Sequence, residues 1–332
     1  MPHTIIAGVG HYVPETIVTN EELIQHMDTT DEWIVQRTGI KERRFFTEGK
    51  DTTSSMGAAA AHMALERAGV DAKEVDLIVF ATLSPDYTFP GSGVLMQRQL
   101  GLGTIPCIDL RAQCSGFIYG LSVADQFIKT GMYKTVLLVG SEIQTNVMEL
   151  SDRGRGMAVI FGDGAGAVVL KASNDDGRGV LSTHLHADGT YAEKLMVQHP
   201  GSQRKQRITH DMIDDGSFLP YMDGPFVFKH AVTRFQEVIE EALNHNGLKV
   251  DDIDMLFPHQ ANLRIAQTIQ QKMGLPDDKV YNNIHKYGNT TAASIPIALS
   301  EAWAEGLVKP GNMLCFAAFG AGFTWASALV RW

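Results

Sequence analysis

The chain resembles itself at a shift of 178 residues. Residues 57–80 read as a helix running through Met63 to Ala68, a turn at Gly69, an acidic turn from Asp71 to Asp76, and the apolar strand Leu77-Ile78-Val79-Phe80. Residues 231–257 repeat this plan with Val238 to Asn246, Gly247, Asp251 to Asp254, and Met255-Leu256-Phe257. Gly69 and Gly247, Asp76 and Asp254, and Leu121 and Leu299 all share the 178-residue offset. One offset serving separate motifs predicts a duplicated α/β unit, because each repeat is one supersecondary plan used twice. The runs Val136–Val139, Val168–Leu170 and Leu314–Phe319 are almost continuously apolar. That pattern predicts strands covered by helices on both faces. At 332 residues the chain also exceeds the usual size of one core. Two halves are expected, 1–172 and 173–332, divided near residues 172–180, where Ser173-Asn174-Asp175-Asp176-Gly177-Arg178-Gly179 is polar and turn-rich. The segment 198–225 has no counterpart in the first half and reads as a long functional loop.

Composition narrows the partners. Hydrophobic residues make up 44% of the chain and charged residues 20%, as in a globular protein. A formal net charge of −10 disfavours nucleic acid, whose phosphates need a basic surface. It leaves room for a local basic patch facing one acidic partner. Cys107, Cys114 and Cys315 are too few and too irregular for a disulfide framework or a zinc site, which fits a reducing, cytoplasmic setting. The chain opens on a strand-like run, Thr4 to Gly10, without the features of a signal peptide. No apolar run approaches the roughly 18 residues of a membrane span.

Chemistry concentrates at three element ends. Cys114 lies between the run Ile105–Leu110, read as a buried strand, and the helix Gly116–Lys129. The first turn of a helix favours a thiolate through its unpaired N–H groups and macrodipole. Cys107 and Cys315 lie within apolar runs and read as packing residues. His259 follows an apolar strand and Pro258, and Asn289 lies in Tyr287-Gly288-Asn289-Thr290-Thr291. Each is weak alone, since most histidines are surface or core residues and Gly-Asn commonly makes a turn. Together with Cys114 they mark three strand-to-helix turns, where sites of open α/β sheets gather. Other features do not complete a site. Gly162-Asp163-Gly164-Ala165-Gly166 leads into a strand rather than a helix, and Gly8-Val9-Gly10 leads to Pro14, so neither has the context of a dinucleotide loop. His184-Leu185-His186 lacks further well-spaced ligands for a metal.

With these residues in place, the chain resembles β-ketoacyl-acyl-carrier-protein synthase III of the thiolase superfamily along essentially its whole length. The matching stretches are Asp31–Ile40, Cys114–Phe117, Phe161–Ala167, His184–Gly189, Pro258–Ile265, Gly288–Ser294 and Phe319–Trp325. The resemblance implies a thiolase-like duplicated five-layer αβαβα fold, usually homodimeric. It implies that Cys114 takes the acyl group from an acyl-CoA as a thioester. His259 and Asn289 would then donate to the thioester carbonyl of malonyl-acyl-carrier protein as CO2 leaves. It also implies an oxyanion hole from the N–H groups of Cys114 and Ala321, and no metal or redox cofactor. Trp33 and Arg153 would clamp adenine, with Arg37 near the phosphates. Gly224, Phe228, Asn262 and Phe319 would line the pantetheine and acyl passage. Phe89 would reach across a dimer, and Lys229 and Arg264 would meet the acidic carrier protein.

Some residues point elsewhere within the superfamily. Gln113 stands where Ala is common. Arg111-Ala112-Gln113-Cys114-Ser115-Gly116, Thr82–Asp86 and the segment 198–225 resemble the synthase that makes alkylquinolone signals. Trp33, Phe323, Thr324 and Trp325 resemble the fatty-acid enzyme, while Ala321 replaces a common Gly. The primer therefore stays open at this level. A Cys/His/Asn thioester hydrolase is the alternative of another class. A degradative thiolase would need a second Cys in the cluster Phe319–Gly322, which has none, and a non-catalytic scaffold would be expected to lack the three reactive residues.

Overall fold

The computed structural model describes residues 2–175 and 177–332, so Asp176, in the polar stretch at the expected boundary, lies outside the described residues. Two sheets form the frame. The first holds five strands in the order His3–Tyr12, Gly164–Ser173, Thr135–Glu142, Leu77–Ala81, Cys107–Leu110. The second holds four, in the order Met255–Pro258, Met313–Gly320, Thr324–Arg331, Gly179–Ala187. Within the first sheet, Leu77–Ala81 pairs in parallel with both Thr135–Glu142 and Cys107–Leu110. Within the second, Met255–Pro258 pairs in parallel with Met313–Gly320.

The layers follow from side-chain alternation. Leu314, Phe316 and Ala318 enter the central core, while Met313, Cys315, Ala317 and Phe319 enter an outer one. In the first half, Val136 and Leu138 face the central core, and Leu137 and Val139 face the opposite outer core. Both faces of these two strands are thus buried, which is why the sequence shows unbroken apolar runs there rather than alternation. Helices Thr53–Ala68 and Ser92–Gln99 cover the outer face of the first sheet. Helices Gly224–His245 and Leu263–Met273 cover the outer face of the second. Gly116–Lys129 and Ser294–Ala304 fill the space between, completing the five-layer αβαβα arrangement.

The repeat is visible element by element. Strand Thr135–Glu142 and strand Met313–Gly320 begin and end 178 residues apart, and helices Gly116–Lys129 and Ser294–Ala304 begin at the same spacing. The recurring acidic turn has a structural task. Asp76 accepts from the backbone N–H of Lys134 (2.9 Å) and Thr135 (3.2 Å), and Asp254 accepts from that of Met313 (2.7 Å). Each carboxylate pins the start of the neighbouring strand. The glycines Gly8 and Gly10 serve packing. A Cβ at either would lie 2.3 Å from a backbone oxygen of the alanine-rich helix, Ala64 or Ala60.

Two expectations change. The strand before Cys114 is Cys107–Leu110 and is only partly buried, with Asp109 exposed. It is an edge strand, paired on one side only, so its outer edge lacks the cover that the apolar run implied. Segment 198–225 is also less of a bare loop than expected. It contains the short helix His210–Asp214 and the strand Tyr221–Met222, which pairs with Leu195–Met196, and helix Gly224–His245 begins within it. Among the described residues no helix is long and apolar enough to cross a membrane.

Candidate active site

Cys114 sits in a single 3-10 turn, Gln113–Ser115, directly ahead of helix Gly116–Lys129. The turn is entered through Gln113 at φ 44°, a left-handed conformation that non-glycine residues rarely adopt. It packs against the end of strand Met313–Gly320. A Cβ at Gly320 would lie 2.6 Å from Cys114 Cβ and 3.0 Å from its Sγ. Ser115 Oγ donates to the carbonyl of Thr324 (3.1 Å), tying the turn to the next strand. The backbone N–H groups of Cys114 and Ala321 lie on the sulfur's side of the turn and favour its charged form. Those are the two donors expected to form an oxyanion hole.

The resting thiol is neutral, contrary to the thiolate expected at a helix start. Burial pushes the Cys114 thiol up to about 12, and the nearby Glu142 carboxylate adds to the rise, against the pull of the two N–H groups. A helix terminus contributes at most about 2 kcal/mol, or roughly 1.5 pKa units. Desolvation is the larger effect here. Glu142 is itself buried and accepts from Thr82 Oγ1 (3.1 Å), Ser84 Oγ (2.6 Å), Gln144 Nε2 (3.2 Å) and the N–H of Leu83 (3.2 Å). Its burial raises its own pKa as well.

His259 enters from the second half, at the end of strand Met255–Pro258. Its N–H donates to Ala317 O (2.8 Å), and its ring is 3% exposed. Nδ1 lies 2.7 Å from Ser294 Oγ, and Nε2 has no partner among the described residues. Burial pushes the imidazole down to about 3, so the ring is neutral. The next residue, Gln260, clasps the loop. Its amide donates to Pro258 O (2.8 Å) and Tyr281 O (3.3 Å) and accepts from the N–H groups of Asn283 and Ile284 (each 3.1 Å). Asn289 is held by its backbone, with its N–H on Ile160 O and its carbonyl accepting from Gly162 N. Its Oδ1 accepts from Thr291 N–H (2.8 Å), which fixes the amide and leaves its NH2 to donate elsewhere. The turn Thr291–Ala293 packs on the Cys114 turn, and Ser294 follows it. The turns that carry the three candidate residues are therefore brought together where the two halves join.

The expected substrate-binding residues are each placed by their own contacts. Arg37 stacks over Trp33 with its guanidinium 4.6 Å from the ring centroid, as the four-residue spacing on helix Asp31–Thr38 allows. Arg153 does not join them. It pairs with Glu149 (Nε to Oε2 3.1 Å) and donates to Asp214 O (3.1 Å). Arg155 is the second arginine at Trp33, at 5.7 Å. The two arginines stand two residues apart, and the helical turn Arg155–Ala158 decides which one faces Trp33 here. Arg153 instead anchors the segment 198–225, which walls a cavity of about 210 Å³ bounded by Arg153, Met157, Pro220, Tyr221 and Met222.

Asn262 caps helix Leu263–Met273, accepting from Arg264 N–H (2.9 Å) and donating to Arg37 O (2.9 Å). One N–H of its amide is thus used to tie helix Asp31–Thr38 to helix Leu263–Met273, and the second N–H is left for another partner. Gly224 faces open space at the start of its helix. Phe319 is buried, with its ring 4.9 Å from Phe323. Phe228 lies under Arg264 at 5.6 Å, and the exposed Lys229 follows it, so the two expected cations stand on adjacent helices. Phe89 is 83% exposed.

The remaining motifs have structural uses. Asp163 accepts from the N–H groups of Phe46 (2.8 Å), Gln144 (2.7 Å) and Thr145 (3.0 Å), so the glycine-rich stretch around it is a backbone knot. His184 and His186 share Glu241, at 3.3 and 2.6 Å.

The chain has extensive likeness to known proteins. Family models described as 3-oxoacyl-[acyl-carrier-protein] synthase III and as its C-terminal part match residues 108–189 and 243–332. The β-ketoacyl-[acyl-carrier-protein] synthase III of Rhodospirillum rubrum is 47% identical over 336 residues, covering 100% of both chains. That of Paramagnetospirillum magneticum is 46% identical over 330 residues, 98% of each chain. The crystal structure of 3-oxoacyl-[acyl-carrier-protein] synthase III from Aquifex aeolicus aligns with a TM-score of 0.90 at 42% identity, covering 99% of this chain and 100% of that one.

Proposed function

This chain belongs to the 3-oxoacyl-[acyl-carrier-protein] synthase III family, and on that premise we propose how it opens fatty-acid synthesis by condensing an acyl-CoA primer with malonyl-acyl-carrier protein. It is an acyl-transferring condensing enzyme; the alkylquinolone-type and hydrolase readings are not favoured by its full-length relatives.

In the first half-reaction Cys114 Sγ attacks the thioester carbonyl of acyl-CoA. The carbonyl oxygen becomes an oxyanion held by the N–H groups of Cys114 and Ala321. The carbon–sulfur bond to CoA breaks, and the proton lost by Cys114 ends on the CoA sulfur, so the exchange is proton-neutral. The high pKa of the buried thiol makes this proton transfer part of the acylation step. In the second, the malonyl thioester carbonyl lies against His259 and Asn289. Breaking the bond to the carboxylate releases CO2 and leaves an enolate whose oxygen takes two hydrogen bonds. The enolate carbon attacks acyl-Cys114, the bond from the acyl carbon to Sγ breaks to give the β-ketoacyl thioester, and the Cys114 thiolate released takes up one proton from solvent, the proton that decarboxylation of a carboxylate consumes overall. A neutral imidazole suits this role, since it donates without an added charge.

The observation that carries this reading is the packing of the Cys114 turn against Gly320 and against the turn Thr291–Ala293, with the unpartnered His259 Nε2 on the same second half. Trp33, Arg37 and Arg155 would receive the CoA nucleotide, with Gly224, Phe228 and Phe319 along the passage. The Lys229 and Arg264 pair would meet the carrier protein. The exposed Phe89 and the uncovered edge strand Cys107–Leu110 support a homodimer. The scheme calls for no metal or redox group; CoA enters as part of the substrate.

Intact-protein mass spectrometry with acetyl-, branched, medium-chain and aromatic acyl-CoAs tests the reading. The expected result is an acyl mass on Cys114, cleared by malonyl-acyl-carrier protein with formation of a β-ketoacyl product. Clearance by water alone would overturn it in favour of hydrolysis.

A further inference from the structure

Ser294 opens helix Ser294–Ala304 and is 2% exposed, in contact with His259, which is 3% exposed. Its hydroxyl oxygen lies 2.7 Å from His259 Nδ1 and accepts the N–H of Gln260 at 3.3 Å. A neutral imidazole carries one proton, and the hydrogen bond at one nitrogen decides which nitrogen holds it.

Two arrangements fit the distances. If Nδ1 donates to Ser294, the serine oxygen accepts twice and its own proton has no acceptor among the partners of that hydroxyl. Nε2 is then a bare, buried lone pair. If Ser294 donates to Nδ1, its oxygen accepts from Gln260 and its proton is used. The one polar group left open is then the Nε2 N–H, which a substrate carbonyl satisfies. The second arrangement strands fewer buried groups, and stranded buried groups are disfavoured.

We propose that Ser294 is a positioning residue that donates to Nδ1 of His259 and so fixes the tautomer with its proton on Nε2, facing the thioester oxygen. This inference rests on the condensing reaction above. It assigns the orientation of one donor to a residue of the same turn that orients the other. Asn289 Oδ1 is pinned by the N–H of Thr291, and His259 Nδ1 by the hydroxyl of Ser294. One segment, residues 289–294, therefore sets both donors. Ser294 touches no reacting atom. Its effect falls on the decarboxylation step, where Nε2–H is needed, and not on acylation of Cys114.

The test has a spectroscopic arm and a kinetic arm. Nitrogen-15 NMR of histidine-labelled wild-type protein, with His259→Gln identifying the resonances, should show a protonated Nε2 and an unprotonated, hydrogen-bonded Nδ1. A protonated Nδ1 overturns the inference. Ser294→Ala should lower malonyl-carrier-protein decarboxylation by about 10- to 100-fold, less than full loss of an oxyanion donor. Its acylation by acyl-CoA should stay within about twofold of wild type by the same separation of roles. Ser294→Thr, which keeps the hydroxyl, should recover most of the lost rate. Unchanged decarboxylation in Ser294→Ala, or equal loss of both steps with no recovery in Ser294→Thr, would sink the proposal. Should the wild-type protein fail to decarboxylate malonyl thioesters at all, the condensing function proposed above fails, while the tautomer result still decides the Ser294 assignment.

Discussion

Gln113 and Thr291, 178 residues apart, are the two non-glycine residues with positive φ among those described, at 44° and 47°. Each opens a 3-10 turn that feeds a central helix. The same strained entry is thus built twice, and the next residue is Cys114 in one half and Ala292 in the other. A left-handed non-glycine residue costs on the order of 1–3 kcal/mol and persists only where surrounding structure enforces it. Here the two turns pack on each other and supply that enforcement. Ala292 leaves the second turn unreactive, while its small side chain lets Gly116 approach it closely.

The state of Cys114 is testable by alkylation. With the thiol pushed up to about 12, the thiolate fraction rises with pH throughout the neutral and alkaline range. Iodoacetamide modification of Cys114 should accelerate about tenfold per pH unit between pH 7 and 10. A rate that levels off near neutral pH would show a stabilised thiolate instead.

His259 gives a stability prediction with a definite sign. Its folded pKa, about 3, lies below the ordinary 6.5. The unfolded chain therefore binds the proton first as pH falls. The stability involved is complete above pH 6.5 and is lost as pH drops toward 3, at about 1.4 kcal/mol per unit. His259→Gln should remove about 2 kcal/mol of the loss between pH 7 and pH 5, measured by urea unfolding. An identical acid dependence in the variant would mean that His259 is not held neutral by burial. The same variant should acylate Cys114 yet lose about 10²–10³-fold in malonyl decarboxylation.

Arg153 and Arg155 separate cleanly by kinetics. Arg155→Ala removes a guanidinium from Trp33 and should raise the KM for acyl-CoA about tenfold or more, the loss of one stacking and phosphate contact. Arg153→Ala frees Glu149 and the segment 198–225, so its effect should appear as easier proteolysis of that segment with little change in KM. The reverse pattern would restore Arg153 as the clamp.

Gly320→Ala places a methyl 2.6 Å from Cys114 Cβ and 3.1 Å from its N–H nitrogen. The strand is fully buried, so the clash cannot relax into solvent. Overpacking of this kind costs about 1–3 kcal/mol. The variant should fold with a lowered Tm and show almost no acylation by mass spectrometry. Normal acylation would mean that the Cys114 turn is free to move.

The repeated elements were legible in the chain because they leave local marks. Two-sided burial produces unbroken apolar runs, and each half repeats a glycine and an acidic turn at a fixed offset. Cys114, His259 and Asn289 were legible as candidates because element ends are visible in sequence. Their joint geometry was not. Which arginine reaches Trp33 depends on one turn of backbone at Arg155. The resting protonation of Cys114 depends on how much protein encloses it, and burial there outweighs the helix end that sequence reveals. The Ser294 contact to His259 spans 35 residues, and the Cys114 contact to Gly320 spans the two halves. The sequence by itself determined the duplicated α/β plan and the reactive residue types, since periodicity and turn chemistry act between near neighbours. Only the tertiary structure decided proton positions, clamp partners and edge exposure, because desolvation and hydrogen-bond pairing are set by groups distant in the chain.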